Sequence, residues 1–199
     1  MMDVAAKTWL RVVWAAQLLP YWRQCRLWRC RSLSEAVCCT SATLAMHHAL
    51  CAGVQTPDLI VDIGCHRGEV TGWWCREFPR VEAIGIDAAP TEYPFGRKIT
   101  AELDSAVTAD RVLARWLPTT SRAWVKIDVD DATFDAVCGS TELLRRAAMV
   151  HVEVEPWTTD MASTVVARLH AHGFRGRCVW ARYQWPDPFR CSEWVFWRL

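Results

Sequence analysis

The chain has 199 residues, of which 52% are hydrophobic and 23% are charged. This length suits one compact domain with a short extension, and the composition is that of a globular protein with a substantial core. The formal net charge of +1 argues against a protein that binds nucleic acid over its whole surface, because such domains are strongly basic.

Basic residues are concentrated near the N-terminus. Residues 1–34 contain six bases and one acid, a balance of about +5, so the rest of the chain carries about −4. We therefore divide the chain into a basic extension, residues 1–31, and a main domain, residues 32–199.

The extension begins with an amphipathic helical pattern over 4–19, in which Asp3, Lys7 and Arg11 share one polar face. Its apolar run is too short, and Arg11 too central, for a membrane span. Three roles stay open. The extension can cover apolar surface of the main domain, act as a peripheral membrane or organelle-targeting segment, or contact nucleic acid through Arg and Trp.

The ten cysteines show no spacing typical of a disulfide framework, and no Cys-x-x-Cys pair indicates a structural zinc site. No small-residue cleavage site follows the first helix, which argues against a secretory signal. A reduced compartment fits this cysteine usage best. We therefore expect a cytoplasmic protein, with organelle targeting or peripheral membrane association through residues 1–31 as the alternatives.

The main domain is predicted to begin with a helix over 32–51, because Ser32 and Glu35 have capping-box spacing and Gly53 can end it. From Pro57 onward, short apolar runs alternate with helical stretches. Strands are predicted at 59–63, 81–86, 98–103, 123–127, 149–154, 178–183 and 193–198, and helices at 69–78, 109–117, 132–146 and 159–172.

Strands that alternate with helices form right-handed βαβ units. The order of elements therefore predicts a doubly wound α/β fold with a mostly parallel sheet covered on both faces, preceded by N-terminal helices. No helix separates the last two strands, so they can pair only as a hairpin that adds one C-terminal antiparallel strand. This Rossmann-like topology resembles that of class I methyltransferases and differs from nicotinamide-binding domains.

A glycine-containing turn follows the first strand, at a position where open α/β sheets bind ligands. The dinucleotide fingerprint would need glycine in place of His66 and of Glu69, which disfavours a pyrophosphate cradle. The spacing is instead the D-x-G-x-x-x-G of the first motif of S-adenosylmethionine-dependent methyltransferases. It predicts that five residues contact this cofactor: Asp62, Gly64, Cys65, His66 and Gly68.

Asp87 ends the second strand, 19 residues after Gly68. A carboxylate at this position can accept hydrogen bonds from both ribose hydroxyls of a nucleoside. The order of strand, loop, helix, strand and acid therefore predicts that Asp87 also binds S-adenosylmethionine.

The segment 124–155 resembles the FkbM family of S-adenosylmethionine-dependent methyltransferases. The run Lys126-Ile127-Asp128-Val129 matches that family's hallmark strand K-I-D-V-E-G, and Gly139 ends the helix that follows. The resemblance covers about 57–199 and implies O-methylation of a hydroxyl on a small-molecule or sugar-like acceptor. Two features depart from the pattern. Asp130-Asp131 replaces the E-G pair, and the interval between Asp87 and Asp110 is short, which predicts an abbreviated or missing third strand.

Four acids at the ends of adjacent strands are candidates for the catalytic base, and they are Asp128, Asp130, Glu153 and Glu155. Asp128 is also placed to orient the cofactor, and Lys126 can pair with one of these acids. Methyl transfer from a sulfonium needs little further activation, so proximity can supply most of the catalysis.

Two other functions stay open. Asp128 with Asp130 or Asp131 can hold Mg²⁺ through carboxylate oxygens, as in a metal-dependent O-methyltransferase. The departures from the family pattern also fit a catalytically degenerate methyltransferase fold that acts as a binding or scaffolding module. His151 is predicted to be a packed core histidine.

Overall fold

The computed structural model describes residue 19 and the ranges 33–117, 122–129, 132–154, 159–182 and 191–199. The basic extension, apart from residue 19, lies outside the described residues, so the three roles predicted for it stay predictions. Within the described ranges, no helix combines the length and the apolar character needed to span a lipid bilayer.

The described elements follow the predicted alternation of strands and helices. The helices are α1 (Leu33–Cys51), α2 (Glu69–Glu77), α3 (Ala109–Leu113), α4 (Thr133–Cys138), α5 (Thr141–Arg146) and α6 (Thr159–Ala171). The strands are β1 (Leu59–Ile63), β2 (Glu82–Asp87), β3 (Arg97–Thr100), β4 (Ala123–Ile127), β5 (Ala147–Val154), β6 (Arg175–Arg182) and β7 (Cys191–Trp197).

The seven strands form one sheet in the order β3-β2-β1-β4-β5-β7-β6. The first five strands of this order run parallel, whereas β7 pairs antiparallel with both β5 and β6. The predicted C-terminal hairpin is confirmed, and it inserts β7 between β5 and β6. The architecture is therefore the predicted doubly wound α/β fold.

The two faces of the sheet bury separate apolar clusters, because successive side chains along a strand point to opposite faces. Val61 and Ile63 belong to the cluster covered by α3 to α6, whereas Ile60 belongs to the cluster covered by α1 and α2. In the second cluster, the rings of Trp74 and Trp124 pack edge to face with their centroids 6.0 Å apart. The sheet is thus the middle of three layers, and a ligand can reach it where its strands end.

The helix predicted over 132–146 is two helices in the structure, α4 and α5, which separate at Gly139 and Ser140. Asp110 of α3 caps the second helix, because its carboxylate oxygens accept hydrogen bonds from the backbone N–H groups of Glu142 (2.7 Å) and Leu143 (2.9 Å). The apolar pattern of the sequence runs through both halves and so does not reveal a break whose cap lies in another helix.

The third strand is abbreviated but present, and the described chain between β2 and β3 contains no helix. Tyr93 and Phe95 pack nearly perpendicular to each other there, with ring centroids 6.0 Å apart. The rings lie against Gly68, Gly72 and Gly85, and a Cβ on Gly72 would be 2.3 Å from Phe95 Cζ. Three glycines from the loop, from α2 and from β2 thus provide the flat surface that these rings occupy.

Candidate functional site

A cavity of about 460 Å³ opens at the carboxyl ends of β1, β2 and β4. It lies at the switch point of the sheet, where β1 has β2 on one side and β4 on the other, and open α/β sheets bind ligands at such points. Its volume is within the usual range for small-molecule sites. The lining consists of Ile63, Gly64, His66, Ile86, Asp87, Ala88, Ala101, Glu102, Leu103, Asp128, Val129 and Ala132.

The structure brings four of the predicted site residues together in this lining, and they are Gly64, His66, Asp87 and Asp128. Four others are described but are not part of the lining, namely Asp62, Cys65, Gly68 and Glu153. The predictions for Asp130 and Glu155 fall outside the described residues.

Gly64 lies where the loop after β1 passes the end of β4. Its φ is +78°, and a Cβ there would be 1.7 Å from the carbonyl oxygen of Asp128. From the sequence alone, we expect G64V to abolish cofactor binding with little loss of folding, because a Cβ would intrude where the ligand meets the backbone. In the structure a side chain would first collide with the backbone of β4, so Gly64 is required by the fold as well as placed in the cavity wall.

His66 and Asp87 are joined across the cavity wall. The His66 N–H donates to Asp87 Oδ2 at 2.7 Å, and the Ala89 N–H donates to Asp87 Oδ1 at 2.7 Å. One backbone donor on each oxygen fixes the plane of the carboxylate, and each oxygen keeps a second lone pair. Asp87 is therefore held rigidly at the end of β2 and remains able to accept hydrogen bonds from a ligand.

Asp62 points into the protein interior and is 3% exposed. The Thr71 hydroxyl of α2 donates to Asp62 Oδ2. Burial raises the pKa of Asp62 to about 6, although the Thr71 hydrogen bond and the nearby Lys126 ammonium act in the opposite direction. This acid therefore ties the start of α2 to β1, beneath the loop that the motif predicts as the cofactor contact.

Cys65 and Gly68 also face the protein. Burial raises the pKa of the Cys65 thiol to about 12, so this side chain stays a neutral thiol. A Cβ on Gly68 would meet the rings of Phe95 at 2.7 Å and Tyr93 at 2.8 Å. The glycine that the motif assigned to the cofactor is covered by the aromatic pair of the β2–β3 connection.

Asp128 follows β4 and is bound to Lys126, one of three lysines in the chain. Lys126 Nζ lies 2.7 Å from Asp128 Oδ2, and the two side chains are 2% and 34% exposed, respectively. Burial alone would lower the pKa of Lys126, but the negative charges of Asp128, Glu193 and Glu153 raise it above its usual value. The ion pair thus runs from the protein interior to the cavity, and Lys126 stays charged.

A buried polar group continues from Lys126 along the sheet. His151 pairs with Lys126 in the β4–β5 register, and Glu153 faces Glu193 across β5 and β7. His151 Nε2 lies 2.9 Å from Glu193 Oε2. Burial lowers the pKa of His151 even though Glu193 opposes this, so the imidazole is neutral near pH 7. The core position predicted for His151 is confirmed, and Glu153 is placed in the same buried group.

Two acids near the cavity were not predicted from the sequence. Glu102 lines the cavity after β3, and Glu193 belongs to the buried group. The one signal that could have indicated the role of Glu193 is its position in the strand opposite Glu153. Among the described residues that line the cavity, three have acidic side chains, Asp87, Glu102 and Asp128, and His66 is the one with a basic side chain. The cavity therefore favours a ligand with a positive centre.

Among the described residues, no group of three or more His, Cys, Asp or Glu side chains could hold a metal ion. The Mg²⁺ site predicted at Asp128 also involves Asp130 or Asp131, which lie outside the described residues.

Comparison with known proteins gives the class of the fold. No model of a known protein family matches the chain, and no curated protein sequence matches it. Among solved structures, the precorrin-6Y C5,15-methyltransferase of Geobacter metallireducens is 12% identical, with a TM-score of 0.50 over 77% of this chain and 88% of that one.

Two further structures are similar to the same degree. A candidate ribosomal RNA methyltransferase of Plasmodium falciparum is 13% identical, with a TM-score of 0.51 over 79% of this chain and 95% of that one. A candidate hemolysin of Lactococcus lactis is 9% identical, with a TM-score of 0.50 over 77% and 85%. The chain therefore has the Rossmann-like fold of class I methyltransferases, and its resemblance to the FkbM family stays a prediction.

Proposed function

We propose that this chain is an S-adenosylmethionine-dependent methyltransferase. The observation that carries the proposal is the placement of Asp87 and Asp128, which enter one cavity from the ends of β2 and β4 on either side of β1. A fold supports many functions, so these two side chains carry the proposal, and the fold shared with methyltransferases adds to it.

The cavity residues fit this cofactor. Asp87 offers two oxygens, held in one plane by the amides of His66 and Ala89, to the two hydroxyls of a ribose. The backbone at Gly64 forms the wall between Asp87 and Asp128, where it can approach a ligand closely. The acidic lining supports a cofactor with a sulfonium, because carboxylates stabilise a positive charge in a partly enclosed site.

The acceptor is proposed to bind beside Asp128. S-Adenosylmethionine, when bound, supplies a methyl carbon that its sulfonium already activates, so the protein has mainly to align the acceptor. Lys126 holds one oxygen of the Asp128 carboxylate. The Asp128 side chain remains partly exposed in the cavity, where it can accept a hydrogen bond from a hydroxyl of the acceptor. This placement, and the resemblance over 126–129, support O-methylation of a small-molecule or sugar-like acceptor.

Asp128 is the preferred candidate for the base among the four predicted acids. Glu153 is buried opposite Glu193, away from the cavity lining. Asp130 and Glu155 lie outside the described residues and remain candidates on sequence grounds.

A second candidate function is a degenerate methyltransferase fold that acts as a binding module. The observation that favours it is the aromatic pair Tyr93 and Phe95, which covers Gly68, the second glycine of the motif. Such a module would retain the fold but would transfer no methyl group.

Titration calorimetry of the full chain with S-adenosylmethionine tests the proposal. We expect one binding site, and D87N should weaken binding at least about tenfold, because it removes a charged acceptor of two hydrogen bonds. D135N, which alters an exposed acid of α4 outside the cavity lining, is the matched control. A wild-type chain without measurable affinity would contradict the proposal.

Transfer is then measured as formation of S-adenosylhomocysteine in the presence of a panel of hydroxylated small molecules and sugars. If the wild type forms product and D128N does not, the result would support O-methylation. If the wild type forms no product in the presence of a chelator, the result would support the Mg²⁺-dependent alternative. Cofactor binding without transfer to any acceptor would favour the binding module.

A further inference from the structure

Thr91 and Lys98 form a clamp outside the cavity that holds His66, the residue whose amide contacts Asp87. The Thr91 hydroxyl donates to the carbonyl oxygen of His66 at 2.6 Å. Lys98 Nζ, from β3, donates to the carbonyl oxygen of Thr91 at 2.9 Å and also contacts the Thr91 hydroxyl. The same ammonium lies 3.5 Å from the His66 carbonyl oxygen. Neither Thr91 nor Lys98 lines the cavity.

The clamp acts on a residue with a disfavoured backbone conformation. Among the described residues, His66 is the one non-glycine residue with positive φ, at +43°. A residue with a Cβ keeps this conformation only where surrounding bonds determine it. Here the bonds act at both ends of the residue, because the clamp holds the carbonyl of His66 and Asp87 holds its N–H.

On the basis of the proposed function, we propose that Thr91 and Lys98 are positioning residues for recognition of the cofactor ribose. They hold His66 in its left-handed conformation, so that its amide fixes the Asp87 carboxylate toward the two ribose hydroxyls. If the clamp is released, the loop relaxes toward an ordinary conformation and the His66 amide moves away from Asp87 Oδ2. The carboxylate then loses one of the two donors that fix its plane.

Release of the clamp should weaken only the contacts between Asp87 and the ribose hydroxyls. A purely structural role for the clamp, as a tie between β3 and the β2–β3 connection, would weaken every ligand of the cavity by the same factor. The ratio of affinities for adenosine and for 3′-deoxyadenosine therefore separates the two roles, because these probes differ by one hydroxyl group.

The experiment uses the full chain and measures how well each nucleoside displaces S-adenosylmethionine in calorimetric titrations. The wild type should prefer adenosine. T91V, which keeps the shape of threonine without its hydroxyl, and K98M should each lower this preference about fivefold, the value of one hydrogen bond. T91S retains the hydroxyl and should keep the preference. T56V should keep it too, because it alters an exposed threonine before the amino end of β1, away from the cavity lining.

Thermal melts of each variant accompany the titrations. If T91V and K98M keep the wild-type preference for adenosine, the positioning role is wrong. This holds whether their affinities for the two nucleosides are unchanged or are lowered by the same factor. A wild type that binds S-adenosylmethionine but shows no preference for adenosine overturns the clamp and leaves the proposed function standing. A wild type that does not bind S-adenosylmethionine overturns the proposed function, and with it the clamp.

Discussion

Gly64 shows at the scale of one residue how the fold and the site make the same demand. Its φ of +78° is unfavourable for alanine, and a Cβ would also be 1.7 Å from the carbonyl oxygen of Asp128. We expect G64A to lower the free energy of unfolding by clearly more than the roughly 1–2 kcal/mol that a left-handed alanine costs, because the end of β4 must also move.

Gly173 provides the matched control for this prediction. Its φ is +82°, yet nothing lies within 4 Å of the position that a Cβ would take. G173A therefore carries the conformational cost without the collision. Urea unfolding of both variants measures the difference, and equal losses of stability would show that the approach of Gly64 to Asp128 costs nothing.

Asp62 makes the stability of the domain depend on pH. Burial raises its pKa from the usual 3.8 of an aspartate to about 6. Between these values the folded state binds more protons than the unfolded state, so this group stabilises the fold at low pH, and that contribution is lost as the pH rises toward 6. D62N does not titrate and still offers an acceptor to the Thr71 hydroxyl.

The measurement is urea unfolding of wild type and D62N at several pH values between about 4 and 7. We expect the stability of the wild type relative to D62N to fall by about 1–3 kcal/mol across this range. A difference between the two proteins that does not change with pH would mean that Asp62 is not protonated in the folded state.

Among the elements, α5 depends on another helix for its first turn. The two oxygens of Asp110 accept the N–H groups of Glu142 and Leu143, which have no carbonyl partner within α5. D110A should therefore lower the free energy of unfolding by about 1–2 kcal/mol. D135A, which removes an exposed acid from the first turn of α4, is the control for a change of charge alone. If the two variants lose the same stability in urea unfolding, the cap contributes nothing.

The regular elements could be predicted because their signals are local. β1 and β4 have the predicted bounds, since each is a short apolar run bordered by residues that end strands. The antiparallel strand was predicted because the sequence pattern shows no helix between the last two strands. The structure pairs β7 antiparallel with β5 and β6. The match to the hallmark segment placed a helix end at Gly139, and α4 does end there. The apolar pattern instead ran on to 146, because the cap that starts α5 comes from Asp110, which is 32 residues from its partner Glu142 along the chain.

The candidate site was predictable to the extent that its residues end strands. Asp87 and Asp128 were predicted because strand ends at the switch point are exposed to ligands, and both line the cavity. The covering of Gly68 by Tyr93 could not be read from the motif, because the aromatic segment and the loop meet only in the folded chain. The clamp of Thr91 and Lys98 was not predicted for the same reason, since neither residue belongs to a local sequence motif.

At the scale of the whole molecule, α1 indicates a role for the basic extension. Every residue with a described side chain from 39 to 46 is buried, which is more than two turns of helix and therefore all of its faces. The described contacts of α1 lead to α2 and to β5, β6 and β7. A helix buried all round also needs cover on the side away from the sheet. We expect residues 1–31 to supply that cover, the first of the three roles predicted from the sequence.

Deletion of residues 1–31 tests this expectation. Trp9, Val13, Trp14 and Leu18 lie on the apolar side of the predicted helix, and burial of each large apolar side chain contributes roughly 1.5–3 kcal/mol. Because 1 kcal/mol shifts the melting temperature of a domain this size by about 2–4 °C, the shortened chain should melt more than about 5 °C below full length. W14A should reproduce part of this loss, and K7A, on the polar side, should not.

If the shortened chain melts within a degree or two of full length and binds S-adenosylmethionine equally well, the extension does not cover the domain. The targeting, membrane-surface and nucleic-acid roles would then be the ones to examine.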